Sequence, residues 1–252
     1  MLTRLDHLVI LVRDLDGAVR DYERLGFAVT PGGEHADGLT HNALIPFEDG
    51  SYIELVAFVD PDDPRDNVWG WRAFLPFGGG LIDYCAASDD LGADVRGLRK
   101  RGLDVDGPTD GGRRLPDGTE VRWRVARIRQ DGRLLPFLIE DVTPRSARVP
   151  ARSAARHPNG ATAIARLELV ALDVRAATRS LKALIGVPDR HLRLGACTLA
   201  PVAPGPDEYA RERLTAAGPL AVGLATGVPR DASELDRRLS SGVNIKILGR
   251  RP

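Results

Sequence analysis

Residues 5–12, LDHLVILV, alternate between two faces: Leu5, His7, Val9 and Leu11 point one way, and Asp6, Leu8, Ile10 and Val12 the other. That period predicts a strand. In DLDGAVRDYERLGF, Asp14 or Asp16 can cap a helix whose apolar stripe is Leu15, Val19 and Tyr22 and whose stop is Gly26. Short strands are expected in FAVTPGG, HNALIPF and SYIELVAF, the last two joined by an Asp-Gly hairpin signal. The order is βαβββ.

The same order returns 76 residues later, in LIDYCAASDDLGADVRGLRKRGLDV. Leu81 falls on Leu5, Asp83 on His7, Asp90 on Asp14, Val95 on Val19 and Gly102 on Gly26, without a gap. EVRWRVARI and LLPFLIEDV follow as strands around another Asp-Gly pair. The period fits paired modules better than a solenoid. A fainter third copy begins at AIARLELVALDV, with a helix ending near Gly186 and a strand in GACTLAPVAP, and the tail holds a partial fourth. The fold class is therefore α+β, built of tandem βαβββ modules. Residues 1–145 form the paired unit, 146–158 a Pro/Ser/Ala/Arg-rich linker, and 159–252 a degenerate unit with a structural role.

Composition narrows the choices little. Of 252 residues, 43% are hydrophobic and 28% charged, with 35 acidic and 35 basic side chains, so no net field favours nucleic acid or an anionic membrane. No apolar run approaches the roughly 18 residues of a membrane span, and no signal-peptide core opens the chain. Cys85 and Cys197 form no metal-type spacing. A cytoplasmic setting is expected.

LDHLVILVRDL, GSYIELVAF and PFLIE together resemble the vicinal oxygen chelate superfamily and, within it, glyoxalase-like domain proteins. The resemblance covers about residues 3–143. It implies curved mixed sheets around a cleft, with a divalent metal held by the first and last strands of each module. The matching positions are His7 and Glu54, then Asp83 and Glu140. With Asp83 where such enzymes place a second histidine, the set favours Mn²⁺, Fe²⁺ or Mg²⁺ over Zn²⁺. The superfamily hosts several reactions and some non-catalytic binders, so the fold does not select one.

Strand parity puts Glu54 on one face with Tyr52 and Val56, opposite Ile53, Leu55 and Ala57. An ionised carboxylate buried there needs a cation, an arginine or water. Each position also has a plainer reading: His7 as a hydrogen-bonded strand residue, Glu54 at a sheet edge, Asp83 as a turn residue, and Glu140 paired with Arg122, Arg124 or Arg127. If Val121, Trp123 and Val125 form the packed face of their strand, Arg122 and Arg124 face the cleft and can hold a substrate carboxylate or phosphate. Asn42 can orient a substrate carbonyl. Trp69 and Trp71, in the aromatic segment DNVWGWRAFLPFGGG, can line the ligand site or pack the seam between modules.

Two functions fit. One is a metal-dependent lyase or isomerase acting on a small oxygenated molecule, with Glu140 or Glu54 moving the proton. The other is a metal-free protein that sequesters a small, partly aromatic compound. A homodimer formed through the C-terminal unit is compatible with either.

Overall fold

The computed structural model describes residues 2–186, 192–205 and 217–249. The first module runs β1 (Leu2–Leu11), α1 (Leu15–Arg24), β2 (Thr30–His35), β3 (Thr40–Pro46) and β4 (Tyr52–Phe58). The second runs β5 (Gly80–Ser88), α2 (Leu91–Lys100), β6 (Val105–Arg114), β7 (Glu120–Ile128) and β8 (Phe137–Asp141), after a 3-10 helix at Trp71–Phe77. The repeat extends to the helix caps. Asp14 accepts the Gly17 N–H at 3.0 Å and, 76 residues on, Asp90 accepts the Ala93 N–H at 2.9 Å.

The curved sheets close on each other. Strand order is β1-β4-β3-β2-β6-β7-β8-β5, with β1 antiparallel to β5 and parallel to β4. The β2–β6 seam that completes the barrel is short: the ladder pairs Glu34 with Arg114 and His35 with Arg113, and the Ala36 N–H to the Gly112 carbonyl at 3.0 Å continues it. Glycine makes that approach possible. Gly33 has φ +138°, and a Cβ there would lie 2.0 Å from the Arg114 carbonyl oxygen.

Two apolar layers sandwich the barrel wall. Leu8, Ile10, Ile53, Leu55 and Tyr84 pack outward under the helices, whereas Val9, Leu11, Val56, Phe58 and Ile82 fill the interior. The alternation in β1 breaks next to His7. Leu5 pairs with Ala86 and His7 with Cys85, so Asp6 is an extra residue in the ladder, a β-bulge. Leu5 therefore joins the outer layer, not the face of His7 and Val9 as simple alternation predicts. At the position 76 residues on, β5 carries the matching bulge at Ile82, between the Val9–Asp83 and Ile10–Leu81 pairs.

After β8 the chain forms α3 (Arg145–Arg148) and a 3-10 helix (Arg152–Ala155), then β9 (Ala161–Val170) and α4 (Val174–Ile185). Next come β10 (Arg193–Leu194), β11 (Cys197–Val202), β12 (Gly218–Thr226), β13 (Ser233–Glu234) and β14 (Asn244–Ile247). Asp173 caps α4 as Asp14 caps α1, accepting the Ala176 N–H at 2.9 Å. The second sheet, β10-β11-β9-β12-β14-β13, keeps the barrel's central arrangement: an antiparallel pair, β9 and β12, each flanked by a parallel strand. Its buried Leu167, Leu169 and Val222 belong to the same apolar cluster as Leu5 and Tyr84. Among the described residues no helix is long and apolar enough to cross a membrane.

Candidate functional site

The bulge in β1 turns both Asp6 and His7 into the barrel, where they are almost fully buried. The His7 ring stacks on Tyr52 (centroids 4.5 Å apart) and meets the edge of Phe137 (5.4 Å). Its Nδ1 lies 2.8 Å from Asp6 Oδ1, which leaves Nε2 pointing at Glu54, 3.5 Å from Oε2. Glu54 reaches the interior by the parity of β4, and its other oxygen, Oε1, accepts the Asn42 amide at 2.6 Å.

A second imidazole completes this cluster. His35, the last residue of β2, has Nδ1 2.8 Å from Thr40 Oγ1 and Nε2 3.4 Å from Glu54 Oε1. Burial alone would raise the Glu54 pKa. His35, His7 and Asn42 outweigh it and hold the carboxyl at about 2. Each ring thus has its Nδ1 tied to an outer partner and its Nε2 aimed at one buried carboxylate. In metal sites such outer partners fix the tautomer and direction of ligating histidines.

The donors are chemically those of a two-histidine, one-carboxylate centre. In the tautomer whose Nδ1–H donates a hydrogen bond to Asp6, the His7 Nε2 lone pair points at an anionic oxygen. That juxtaposition is unfavourable until a cation lies between them, and the two N···O separations exceed those of good charge-assisted hydrogen bonds. The residues fit a divalent ion.

Asp6, His7 and Cys85 form another compact group, with potential donor atoms all within 4.8 Å of one another. Its chemistry suits a metal less well. Asp6 already accepts from Arg148 (2.8 and 3.0 Å) and Arg145 (2.5 Å), and burial pushes the Cys85 thiol pKa well above its ordinary value. Although burial opposes it, the Arg148 charge and the His7 hydrogen bond hold the Asp6 pKa well below the usual carboxylate range.

From the second module, Asp83 accepts the Trp71 indole N–H at 3.1 Å and the Tyr84 N–H at 2.9 Å, with Arg133 Nη1 at 3.4 Å. Burial outweighs these partners and raises its pKa. Trp69 lies 5.9 Å from Trp71 and 4.4 Å from Phe137, so the aromatic segment both lines and closes one end of the barrel. A cavity of about 460 Å³ opens there, bordered by His35, Thr40, Asn67, Trp69, Trp71 and Trp123.

Of the four residues matched by the resemblance, three lie inside the barrel and Glu140 does not. Glu140 sits on the outer face, 2.5 Å from Arg124 Nη2 and near the N–H of Leu91 at the start of α2. Register explains the difference. Val9 pairs with Glu54, and its repeat partner Cys85 pairs with Phe137, so Phe137 is the counterpart of Glu54. Arg122 and Arg124 also face away from the interior, which receives Trp123 and Val125 instead. The strand's apolar face packs into the barrel, not under the helices. Asn42, Trp69 and Trp71 do reach the interior. The sequence reading missed His35, at the end of a glycine-rich strand without periodicity, and Arg148, in what reads as a linker.

A family model described as a glyoxalase-like domain matches residues 5–185. The uncharacterized protein YwbC of Bacillus subtilis (strain 168) is 28% identical over 101 residues, covering 40% of this chain and 72% of that protein. The crystal structure of a hypothetical protein from Staphylococcus aureus superposes with a TM-score of 0.74 at 15% identity, covering 96% of this chain and 98% of that one. A triple mutant of 4-hydroxymandelate synthase from Streptomyces coelicolor gives a TM-score of 0.57 at 12% identity, over 91% of this chain and 72% of that one. At these identities the two structures establish the fold alone.

Proposed function

The chain belongs to the glyoxalase-like domain family of the vicinal oxygen chelate superfamily, and from the contents of its barrel we propose a divalent-metal-dependent lyase or isomerase acting on a small oxygenated molecule. The observation that carries this reading is the convergence of the His7 and His35 Nε2 atoms on the Glu54 carboxylate. These three side chains would hold the ion, and Mn²⁺ or Fe²⁺ suits the mixed imidazole–carboxylate set. When bound, the ion supplies Lewis-acid polarisation of a substrate oxygen, which acidifies the neighbouring C–H.

The protein's own groups divide the remaining work. Glu54 and Asp83 are two buried carboxyls whose environments move their pKa values in opposite directions. Glu54, held anionic, suits the ligand role. Asp83, with its affinity for a proton raised, suits proton transfer at Oδ1 or Oδ2. Asn42 fixes the Glu54 carboxylate, while Trp71 and Arg133 fix Asp83. The indoles around the cavity exclude water and bind the apolar part of a ligand. His35, with 17% of its side chain exposed, is the part of the cluster that meets the cavity.

The test is deuterium uptake. Mn²⁺-loaded protein in D₂O should catalyse exchange of the C–H adjacent to the carbonyl in a panel of small hydroxyketones, followed by proton NMR. Asp83→Asn should lower the exchange rate by about 10²-fold or more while leaving bound metal unchanged. Exchange by that variant at the parent rate would remove Asp83 from the chemistry. The aromatic lining of the cavity favours one second reading, a metal-free sequestering protein. In that case the protein purifies without stoichiometric metal, and an aromatic ligand raises its Tm equally with and without His7.

A further inference from the structure

Buried charges in this barrel are matched, with one exception. Arg148 is paired with Asp6 and Asp141, Asp83 with Arg133, and Glu54 with Asn42 and the two imidazoles. Arg113 has no such partner. It is 4% exposed, its Nη2 donates to the Arg148 carbonyl at 2.5 Å, and its Nε has no hydrogen-bond partner. No carboxylate of the described residues forms an ion pair with it. Glu54 attracts it across the interior, but the Glu54 oxygens are already engaged by Asn42, His7 and His35. A guanidinium taken out of water without a counter-ion is among the least favourable arrangements a core can hold.

Its place gives that charge a use. Arg113 stands opposite His35 in the β2–β6 seam. Both residues line a cavity of about 760 Å³ at the seam, and His35 also borders the aromatic cavity. The unmatched cation is therefore next to the cluster read above as the metal centre. An ion of charge +2 held by one carboxylate would leave this corner still more positive. A planar carboxylate offsets the guanidinium charge, and the fork of a guanidinium matches it in two parallel hydrogen bonds.

We infer that the barrel is built for a small carboxylic acid, and that Arg113 is the residue that binds its carboxylate. This deepens the functional reading above and rests on it for the role of the bound acid, but the anion site itself needs no metal. Arg113 takes the part that Arg122 and Arg124 were expected to play.

The probes are benzoate and pyruvate, with benzamide and pyruvamide as neutral counterparts, titrated into the full-length protein treated with EDTA. Quenching of tryptophan fluorescence and the change in Tm report binding, since Trp69, Trp71 and Trp123 border the adjoining cavity. At least one carboxylate should bind saturably and raise Tm, with its amide weaker by about tenfold or more. Arg113→Gln should lose about tenfold or more in carboxylate affinity, with Arg113→Lys in between. Arg113→Met, which removes the unmatched charge, should melt at or above the parent temperature without ligand. His7→Ala should keep its carboxylate affinity in EDTA, so failure of the metal reading stays separate from failure of this one. Amides binding as tightly as acids, neither acid binding at all, or Arg113→Gln binding like the parent would overturn the assignment. If Arg113→Gln does not fold, the acid–amide comparison and Arg113→Lys decide.

Discussion

At the scale of single residues, the site depends on a cation that arrives from far along the sequence. Arg148 is 1% exposed and binds Asp6, Asp141 and the Tyr52 hydroxyl, while Asp6 in turn holds His7. Arg148→Met leaves Asp6 buried with only Arg145 and His7, and should cost about 3 kcal/mol in urea unfolding at pH 7. For a chain of this size that is a fall in Tm of roughly 6–12 °C. The same pair sets an acid limit. Because the native pKa of Asp6 is depressed, its contribution is fully present above the ordinary carboxylate pKa near 4 and is lost progressively as pH falls from there through the lower native value. Stability measured from pH 7 to pH 2 should therefore begin to fall near pH 4 and keep falling toward pH 2. Asp6→Asn should be less stable at pH 7 and show a shallower drop. Equal slopes for the two proteins would show that Asp6 is not the group responsible.

At the scale of elements, the weakest join in the barrel is the two-pair seam between β2 and β6. Gly33→Ala forces a Cβ against the Arg114 carbonyl at a backbone angle that alanine avoids. Hydrogen exchange should rise in residues 30–35 and 105–114 while β1 and β5 stay protected. Uniform loss of protection would mean that the seam is not a separate opening unit. Strands, helices and their caps were legible in the sequence because each is written in a local period or a local hydrogen bond. Asp14, one of the two cap residues the sequence offers for α1, is the cap, and Asp90 and Asp173 cap their helices in the same way. The bulges at Asp6 and Ile82 have no local signature, since whether an extra residue enters a ladder is settled by the partner strand. The same gap misplaced Glu140, a carboxylate in an apolar strand whose facing depends on the β5–β8 register. His7, Glu54 and Asn42 were visible because simple parity holds along β3 and β4 and because the second half of β1 follows the bulge in phase. His35 was not, because a six-residue strand carrying two glycines shows no face.

At the scale of the whole molecule, the barrel and the C-terminal sheet share a core, and the connecting segment is part of the barrel's interior. Tyr22 of α1 donates to the Ser240 carbonyl at 3.1 Å, and Asn159 donates to the Leu25 carbonyl at 3.0 Å. A chain ending at residue 144 lacks Arg145 and Arg148 and uncovers the apolar surface over β1 and β5. It should fail to give a cooperative thermal transition, as judged by near-UV circular dichroism. A fully cooperative, native-like fragment would show that the barrel is self-sufficient and that Arg148 is dispensable.

The central claim is that His7, His35 and Glu54 form one cation-binding centre. Calorimetric titration of metal-stripped protein with Mn²⁺ tests it most directly. One equivalent should bind to the parent, and His35→Ala should lose that binding although nothing in its local sequence marks His35 as a ligand. No Mn²⁺ uptake by the parent, or uptake unchanged in His35→Ala, would contradict the account.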